Sequence, residues 1–405
     1  MPRGSKAARN ASPPGPGRGG DRISALPDAV LQHALGFLPV REAVRTCVLA
    51  RRWRHLWRSL PCLRVVDVEV LGSVNELTRF VNRILLLRDP GSALDGCEFD
   101  LRGFEYVDPV SVDLWIRHAL LLRARVLSLS VRWTPLYKRF DSQYLSTLHL
   151  NGVQLSHNAL DCSSCPMLED LEITLSDIYA REICSPFSKR LSIVNCKFCL
   201  DHVYSTRISA PSLIWLRLEY CSGAPPLLEG MASLESACIR FGCGVDDFRM
   251  EGCYADCCGE CVFLYDYGIQ IDGRVLLQGL SNASTLEFRA SFGMFTLEKD
   301  LVCCPTFSNL KTFYLINWCL AGDLRALLGF LRCTPNLEKL SLQLCQKEKC
   351  VLKMEDSNPI GQSFSLEKLK IVEVKCEKID ERVQRTLKIL SSIGTCLEGF
   401  NIQKI

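Results

Sequence analysis

The first strong hydrophobic pattern of the chain lies between Asp21 and Leu60. After Leu26-Pro27-Asp28, apolar residues recur at helical spacing, and this sequence is typical of a helix start because proline suits the first turn and aspartate suits the positive end of the helix dipole. Pro39 ends that helix, and two further helices are predicted at Val40–Val48 and Arg51–Leu60. Some forty residues cannot bury this much apolar surface alone, so the pattern indicates a three-helix module that another protein covers.

The same stretch resembles the F-box. Leu26-Pro27-Asp28, Leu35 to Pro39, Cys47 to Trp53 and Trp57 match nearly every position of the motif, with Ala50 where the family usually has serine. The match is similar to that of plant F-box proteins with leucine-rich repeats. The resemblance implies docking on a Skp-type adaptor through apolar residues at the family's contact positions, here Leu26, Pro27, Val30, Leu31, Leu35, Leu38, Val44, Leu49 and Trp53.

The alternative role for these nine side chains is internal packing of the three helices. It applies above all to Leu35 and Trp53, because an apolar face of a small helical unit can serve its own core and a partner equally well.

A second pattern, of short strands with the form L-x-L, takes over from about residue 126. The strands recur at intervals of about 20–29 residues, which is the period of leucine-rich repeats. The interval between Ala237 and Leu286 is about twice as long, which predicts a degenerate repeat near Phe263-Leu264-Tyr265. Stacked repeats join their leucines into one core and line up their strands as a parallel sheet on a concave face. The positions interleaved between the leucines would then face outward: Ser128, His149, Glu172, Ser192, Arg217, Cys238, Glu287, Tyr314, Ser341 and Lys370.

The predicted fold is therefore of the mixed α/β class, with an N-terminal three-helix F-box followed by a leucine-rich-repeat solenoid. Residues 366–402 resemble, less specifically, the C-terminal FBD-type module of plant F-box proteins, and we expect them to cap the last repeat with a strand (366–374), a helix (381–390) and a final strand (397–402). The predicted domains are a disordered tail (1–20), the F-box (21–61), a connecting region with the first irregular repeats (62–125), the leucine-rich repeats (126–365) and the FBD-like cap (366–405). Within the connecting region we expect a strand at 63–70 and helices at 74–88 and 108–123.

Charge and hydropathy narrow the choice of partners. The net charge of the 405 residues is +3, and the first twenty hold four basic residues and no acid, so the rest of the chain is close to neutral. A near-neutral body argues against a general nucleic-acid binder. No run of apolar residues is long enough to cross a membrane, and the N-terminus lacks the pattern of a secretory signal. We therefore expect a nuclear or cytoplasmic protein with reduced cysteines.

Candidate catalytic chemistry is sparse. The sequence has no P-loop, dinucleotide fingerprint or H-E-x-x-H motif, so we expect neither catalysis nor a cofactor. One cluster of thiols could ligate zinc, but its spacing departs from the paired C-x2-C pattern and it has no histidine, which favours a reduced loop without metal. That cluster consists of Cys253, Cys257, Cys258 and Cys261.

Two functions remain. The first, implied by the resemblance, is a substrate-recognition subunit of a Skp–cullin–F-box ubiquitin ligase, whose repeats hold the substrate protein. The second is a protein-interaction scaffold, or a nucleic-acid-associated binder, that never joins a ligase. The six arginines against two acids in residues 26–60 favour nucleic acid less than they favour an acidic adaptor, because a basic surface steers association with an acidic protein.

Overall fold

A computed structural model describes residues 23, 26–136, 139–156, 160–199, 205–223, 225–241, 275–289, 304–319, 324–345, 364–394 and 397–404. Three predictions lie outside these residues: the tail at 1–20, the degenerate repeat near residue 264, and the cysteine cluster at 253–261. Within them, helices are concentrated near the N-terminus and strands make up most of the rest.

The helices of the described residues are α1 to α7 and three short 3-10 helices. The α-helices are Asp28–Leu35 (α1), Val40–Arg45 (α2), Val74–Leu87 (α3), Pro109–Leu121 (α4), Val275–Leu280 (α5), Leu324–Arg332 (α6) and Glu381–Ile393 (α7). The 3-10 helices are Thr46–Val48, Arg51–Ser59 and Val68–Leu71. Across the described segments, no helix combines the length and the apolar character needed to span a bilayer.

The strands are short and regularly spaced along the chain. They are Cys62–Val65 (β1), Gly96–Asp100 (β2), Val126–Leu136 (β3), Thr147–Leu155 (β4), Asp170–Thr174 (β5), Asp177–Ile178 (β6), Glu182–Cys184 (β7), Arg190–Val194 (β8), Lys197–Phe198 (β9), Arg207–Ser209 (β10), Trp215–Gly223 (β11), Leu227–Glu229 (β12), Ser236–Phe241 (β13), Thr285–Arg289 (β14), Thr312–Cys319 (β15), Lys339–Cys345 (β16), Ile371–Cys376 (β17) and Gly399–Lys404 (β18).

The main sheet is a parallel ladder that follows the chain from end to end. Its order is β1-β2-β3-β4-β5-β8-β11-β13-β14-β15-β16-β17-β18, with β6 and β9 attached beside it, and a small second parallel sheet contains β12, β10 and β7. The apolar side chains of both sheets and of the helices join one continuous core that runs from Leu31 to Ile393. Each repeat thus buries its apolar face against its neighbours.

The register of the ladder aligns the L-x-L leucines of the predicted strands. Leu127, Leu148, Leu171 and their successors lie side by side and are buried, while the residue between each pair faces the opposite side. The last prediction, Leu369-Lys370-Ile371, is wrong by three residues. Val372 and Val374 take the aligned buried positions because Leu369 is still in the turn before β17, where its N–H donates to the carbonyl of Leu366.

A recurring backbone bulge follows several strands of the ladder. The second residue after the L-x-L pair has a positive φ in four successive repeats, at Gly152, Leu175, Asn195 and Tyr220. The left-handed conformation turns the chain so that the next side chain points back into the core. In three of these repeats that side chain is a small donor, since Ser176, Cys196 and Cys221 each donate to a backbone carbonyl of the ladder.

The cysteines of the described residues are free thiols. Burial raises the pKa of Cys196 to about 12 and raises that of Cys221 well above its usual range. These thiols are therefore protonated at neutral pH and act as small packing residues with a weak donor.

The N-terminal helical unit, residues 26–60, packs directly on the first strand of the ladder. Leu56, Trp57 and Leu60 are buried in the common core with Leu63 of β1. The predicted third helix is present at Arg51–Ser59 but is a 3-10 helix. The predicted strand at 63–70 is correct only for residues 63–65 of β1, because Asp67 adopts a left-handed conformation and the chain continues as a 3-10 helix.

Polar contacts fix the helical unit against the end of α3. The Arg88 guanidinium is buried there and its Nη2 donates to the carbonyl of Leu60 over 2.8 Å. Burial lowers the pKa of this guanidinium. The Asp89 N–H donates to the carbonyl of Arg58, and the hydroxyl of Ser59 bonds to the Asp89 carboxylate. The module and the ladder are therefore one packed body at this junction.

The helices predicted at 74–88 and 108–123 are confirmed as α3 and α4. Each begins with a side-chain cap: Ser73 accepts from the N–H of Glu76, and Asp108 accepts from those of Val110 and Ser111. In the C-terminal region Asp380 caps α7 in the same way. This region continues the ladder through β17 and β18, and β18 leaves its side chains exposed where we expected a closed cap.

The close approach of strands at the bulge gives a stability test. At Gly152 a Cβ would lie 2.0 Å from the carbonyl oxygen of Val131, whereas at Gly230, with nearly the same φ, it would meet no atom within 4 Å. We expect Gly152→Ala to lower the free energy of unfolding by about 1–3 kcal/mol more than Gly230→Ala does. Urea denaturation of the full chain measures both, and equal losses would show that the bulge tolerates a side chain.

Candidate functional site

The first candidate surface is on the N-terminal helical unit, where Arg52 holds two segments together. Its Nε donates to Asp28 Oδ1 over 2.7 Å and its Nη2 to the carbonyl of Leu26 over 2.6 Å. The start of α1 is thereby fixed next to the start of the Arg51–Ser59 helix. Leu49 lies three residues before Arg52, in the segment that these contacts join to the start of α1.

The outer side of this unit is apolar and open to solvent. Val48 is 83% exposed and Leu49 69% exposed, and Val30 lies one turn along α1 from Leu26 with about half of its surface exposed. Exposed apolar side chains gathered in one small unit are the usual mark of a surface that another molecule covers. We call Leu26, Val30, Val48 and Leu49 the N-terminal apolar patch.

The nine predicted contact residues divide between this surface and the interior. Leu26, Pro27, Val30, Leu38 and Leu49 are exposed, and Val44 and Trp53 are partly buried against the core. Leu31 and Leu35 are buried, with Leu35 only 5% exposed. These two residues support the patch from beneath and do not reach its surface in this conformation.

Three exposed apolar residues were missing from the predicted set: Ile23, Phe37 and Val48. Val48 is the last residue of the second helix predicted at Val40–Val48. The α-helix ends at Arg45, however, and the 3-10 turn that follows changes the direction of the side chains, so Val48 points outward. The pair of apolar residues Val48-Leu49 just before Ala50 was the only sequence signal for this.

The second candidate surface is the outward face of the parallel ladder, which we call the strand face. Its middle row is formed by one residue from each strand, in register across the sheet. The row contains Arg64, Glu98, Ser128, His149, Glu172, Ser192, Arg217, Cys238, Glu287, Tyr314, Ser341, Glu373 and Asn401. All the predicted interleaved residues except Lys370 lie in it. Glu373 takes the place of Lys370 because of the three-residue shift in β17.

Neighbouring residues of the row pair across the strands. Arg64 Nε lies 2.8 Å from Glu98 Oε2, and His149 Nδ1 lies 3.0 Å from Glu172 Oε2. Toward the C-terminal end, Lys339 of the adjacent row contacts Glu373 over 2.7 Å. The strand face is therefore a mixed polar surface, not a groove of a single charge.

A dense polar cluster of the strand face surrounds Glu219 in the middle of β11. The carboxylate is buried and accepts from Arg217 Nε over 2.7 Å and from Cys238 Sγ over 3.3 Å, and Arg289 Nε lies 3.5 Å from it. Burial by itself would raise the pKa of Glu219, but the donors and the positive charges of Arg217 and Arg289 outweigh burial and lower it. Burial, together with the same carboxylate, raises the pKa of Cys238 to about 12.

The sequence analysis singled out only the residue inside each L-x-L motif and therefore missed Glu219 and Arg289. Each of these follows directly after its L-x-L motif and is the next residue of that strand to face outward. Beside them Arg240 stacks on the ring of Tyr220, with 3.9 Å between the guanidinium carbon and the ring centroid. Tyr220 reaches this place through the left-handed bulge.

Comparison with known families assigns the N-terminal unit. The F-box domain family matches residues 23–64, which cover the Arg52 contacts, the apolar patch and the first residues of β1. Residues 23–64 form an F-box domain. Its surface of exposed apolar side chains is the one described above.

Relatives among curated proteins extend over most of the chain. The meiotic F-box protein MOF of Oryza sativa subsp. japonica is 29% identical over 351 residues, which cover 80% of this chain and 72% of that protein. An F-box/FBD/LRR-repeat protein of Arabidopsis thaliana is 28% identical over 56% of this chain and 60% of its own length. A further F-box/LRR-repeat protein of the same plant is 26% identical over 95% of this chain and 89% of its own length.

These similarities confirm the resemblance to plant F-box/LRR and FBD proteins. An F-box with relatives of this kind implies a role as a substrate adaptor, and F-box domains generally bind Skp-type adaptors of cullin–RING ligases.

The Glu219 cluster predicts a pH-dependent stability. Because the folded pKa of Glu219 is lowered, its stabilisation is complete above the ordinary value of 4.5 and is lost as the pH falls through the folded pKa. We expect Glu219→Gln to reduce the free energy of unfolding by about 1–3 kcal/mol at pH 7, and the difference from the wild type to shrink below pH 4.5.

The matched control is Glu229→Gln, which removes an exposed carboxylate that lies 3.5 Å from Arg207. It should change stability by less than about 0.5 kcal/mol. Urea titrations at several pH values test both variants, and a Glu219→Gln effect as small as that of the control would contradict the buried-cluster account.

Proposed function

We propose that this chain is a substrate-recognition subunit of a Skp–cullin–F-box ubiquitin ligase. The F-box would dock on the Skp-type adaptor, and the strand face would hold the substrate protein. The observation that carries the proposal is the N-terminal apolar patch, in which Val48 and Leu49 are mostly exposed although the helices beneath them are packed. Covering each of these two side chains would contribute about 1.5–3 kcal/mol to docking.

We also infer that the ladder is a leucine-rich-repeat solenoid with the strand face on its concave side. Three features support this: the L-x-L pairs align in one register, the bulge recurs after successive strands, and the small parallel sheet of β7, β10 and β12 lies outside the main ladder. The names of two of the relatives described above contain the same repeat type. A solenoid of this kind offers an extended surface to a folded or extended substrate.

In this proposal the chain catalyses no reaction itself and needs no cofactor. It would act by holding substrate lysines close to the ubiquitin-conjugating enzyme, which raises their effective concentration. The buried contacts of Arg88 and Leu60 favour this role, because a rigid junction between F-box and ladder restricts the positions that a bound substrate can take. Such a complex would work in the nucleus or the cytoplasm.

The chemistry of the strand face favours a polar protein surface as the substrate. The middle row alternates basic, acidic and hydroxyl side chains, and the Glu219 cluster adds exposed parts of Arg217 and Arg289. A surface with both signs of charge is suited to specific hydrogen bonds with a protein, whereas a nucleic acid would require a continuous basic stripe.

The test is an adaptor pull-down with the full chain. We expect Val48→Asp combined with Leu49→Asp to abolish capture of a Skp-type adaptor, because two charges would enter an apolar interface without partners. Both residues are exposed, so the fold should be unaffected. The matched control is Leu86→Asp with Leu121→Asp on α3 and α4, since these residues are 80% and 79% exposed but lie outside the F-box.

Adaptor capture by the control, but not by the F-box variant, is the expected result. Equal capture by both variants would overturn the docking surface. A complex that dissociates steeply with added salt would instead indicate association through charge, as for a nucleic-acid binder.

A further inference from the structure

The C-terminal end of the ladder shows an unpaired apolar edge. β18 pairs with β17 on one side, and within the described residues no strand pairs with its other side. Phe400 and Ile402 are aligned with Val372 and Val374, which are fully buried, yet they are 37% and 40% exposed. Open strand edges with apolar side chains are templates for pairing with a further strand.

The backbone groups available at this edge follow from the hydrogen bonds of the preceding strands. Glu338 lies just before β16 and Lys370 just before β17. The carbonyl of each residue accepts hydrogen bonds from backbone N–H groups of the next strand segment in the ladder. Glu398 holds the equivalent position before β18, so its carbonyl faces the open edge. Because both backbone groups of alternate residues in a parallel strand point the same way, the N–H and C=O of Phe400 and Ile402 face that edge too.

Glu398, Phe400, Ile402 and Lys404 form a pattern that is complementary to itself. In an antiparallel pair of two β18 strands with Asn401 at the two-fold axis, Phe400 lies opposite Ile402 of the second copy, and Glu398 lies opposite Lys404 of the second copy. Phe400 and Ile402 have both backbone groups on the open edge, as an antiparallel hydrogen-bonded pair requires. The N–H of Glu398 donates to the carbonyl of Lys370, so Glu398 and Lys404 take part through their side-chain charges. Cross-strand apolar pairs and opposite charges are both stabilising.

Neighbouring registers lose this match. A shift by two residues in one direction places Phe400 opposite itself and Glu398 opposite Ile402. A shift in the other direction places Ile402 opposite itself and Phe400 opposite Lys404. Only the register centred on Asn401 pairs apolar with apolar and acid with base at every edge-facing position.

We propose that the open edge of β18 binds β18 of a second copy of this chain, which makes the ladders of two molecules continuous through a two-fold axis at Asn401. The self-complementary order of acid, apolar, apolar and base identifies a second copy as the occupant. Binding a strand of a different protein would not require the order of residues in β18 to be complementary to itself. The interface is distant along the ladder from the F-box, so it leaves adaptor docking free.

Charge reversal at the two ends of the pattern tests the proposal. In the proposed dimer, position 398 of each copy lies opposite position 404 of the other, which gives two such pairs. Glu398→Lys makes both pairs positive against positive, and Lys404→Glu makes both pairs negative against negative. We expect each single variant of the full chain to dimerise about tenfold more weakly than the wild type, because two attractive cross-strand pairs become repulsive. Sedimentation equilibrium over a concentration series measures the dissociation constants.

Two further samples distinguish register-specific pairing from general damage. An equimolar mixture of the two single variants should form heterodimers of nearly wild-type strength, because every facing pair is again of opposite charge, and so should the double variant Glu398→Lys with Lys404→Glu. Lys388→Glu, an exposed position on α7, makes the same change of charge away from the edge and should leave dimerisation unchanged.

A wild-type chain that stays monomeric up to about 100 µM would overturn the proposal. Dimers that respond equally to Lys388→Glu and Lys404→Glu, or single variants that fail to rescue each other, would also overturn it.

Discussion

The stacking of aligned apolar pairs is the constraint on which the whole molecule depends. Each strand of the ladder buries two side chains on one face and can do so only because the next strand supplies the other wall of the same core. The residue between them is then forced outward, so the strand face is a direct product of the core. The F-box obeys the same constraint, because Leu56, Trp57 and Leu60 complete the core beside β1. Its inner side is therefore closed by its own chain, and its outer side stays open.

This arrangement separates two kinds of apolar residue that look alike in the sequence. Leu31 and Leu35 serve the interior, while Val48 and Leu49 serve the surface, although all four belong to one short motif. The Arg52 contacts with Asp28 and Leu26 hold the two outer segments together without burying them. A small unit can thus be stable before it meets a partner and still present apolar area to one.

Sequence periodicity was sufficient for α3, α4 and α7 and for the phase of most strands, because only one alignment of the leucine spacing buries the same residues. It failed where local backbone geometry changes the direction of a side chain. The 3-10 turn after Arg45 turned Val48 outward, and the extra turn at Leu369 shifted β17 by three residues. The Glu219 cluster was not foreseeable from spacing, since its members come from three neighbouring strands, β11, β13 and β14, whose pairing the spacing does not specify.

The buried thiols that follow the bulges have a consequence for the chemical resistance of the protein. Cys196 and Cys221 donate to carbonyls within the ladder, and burial keeps them protonated at neutral pH. A protonated, enclosed thiol reacts slowly with peroxides and alkylating agents, because the thiolate is the reactive species. Oxidative damage at these cysteines must therefore wait for two neighbouring repeats to separate. The rate at which these two cysteines are modified would therefore report how often the repeats around β8 and β11 open.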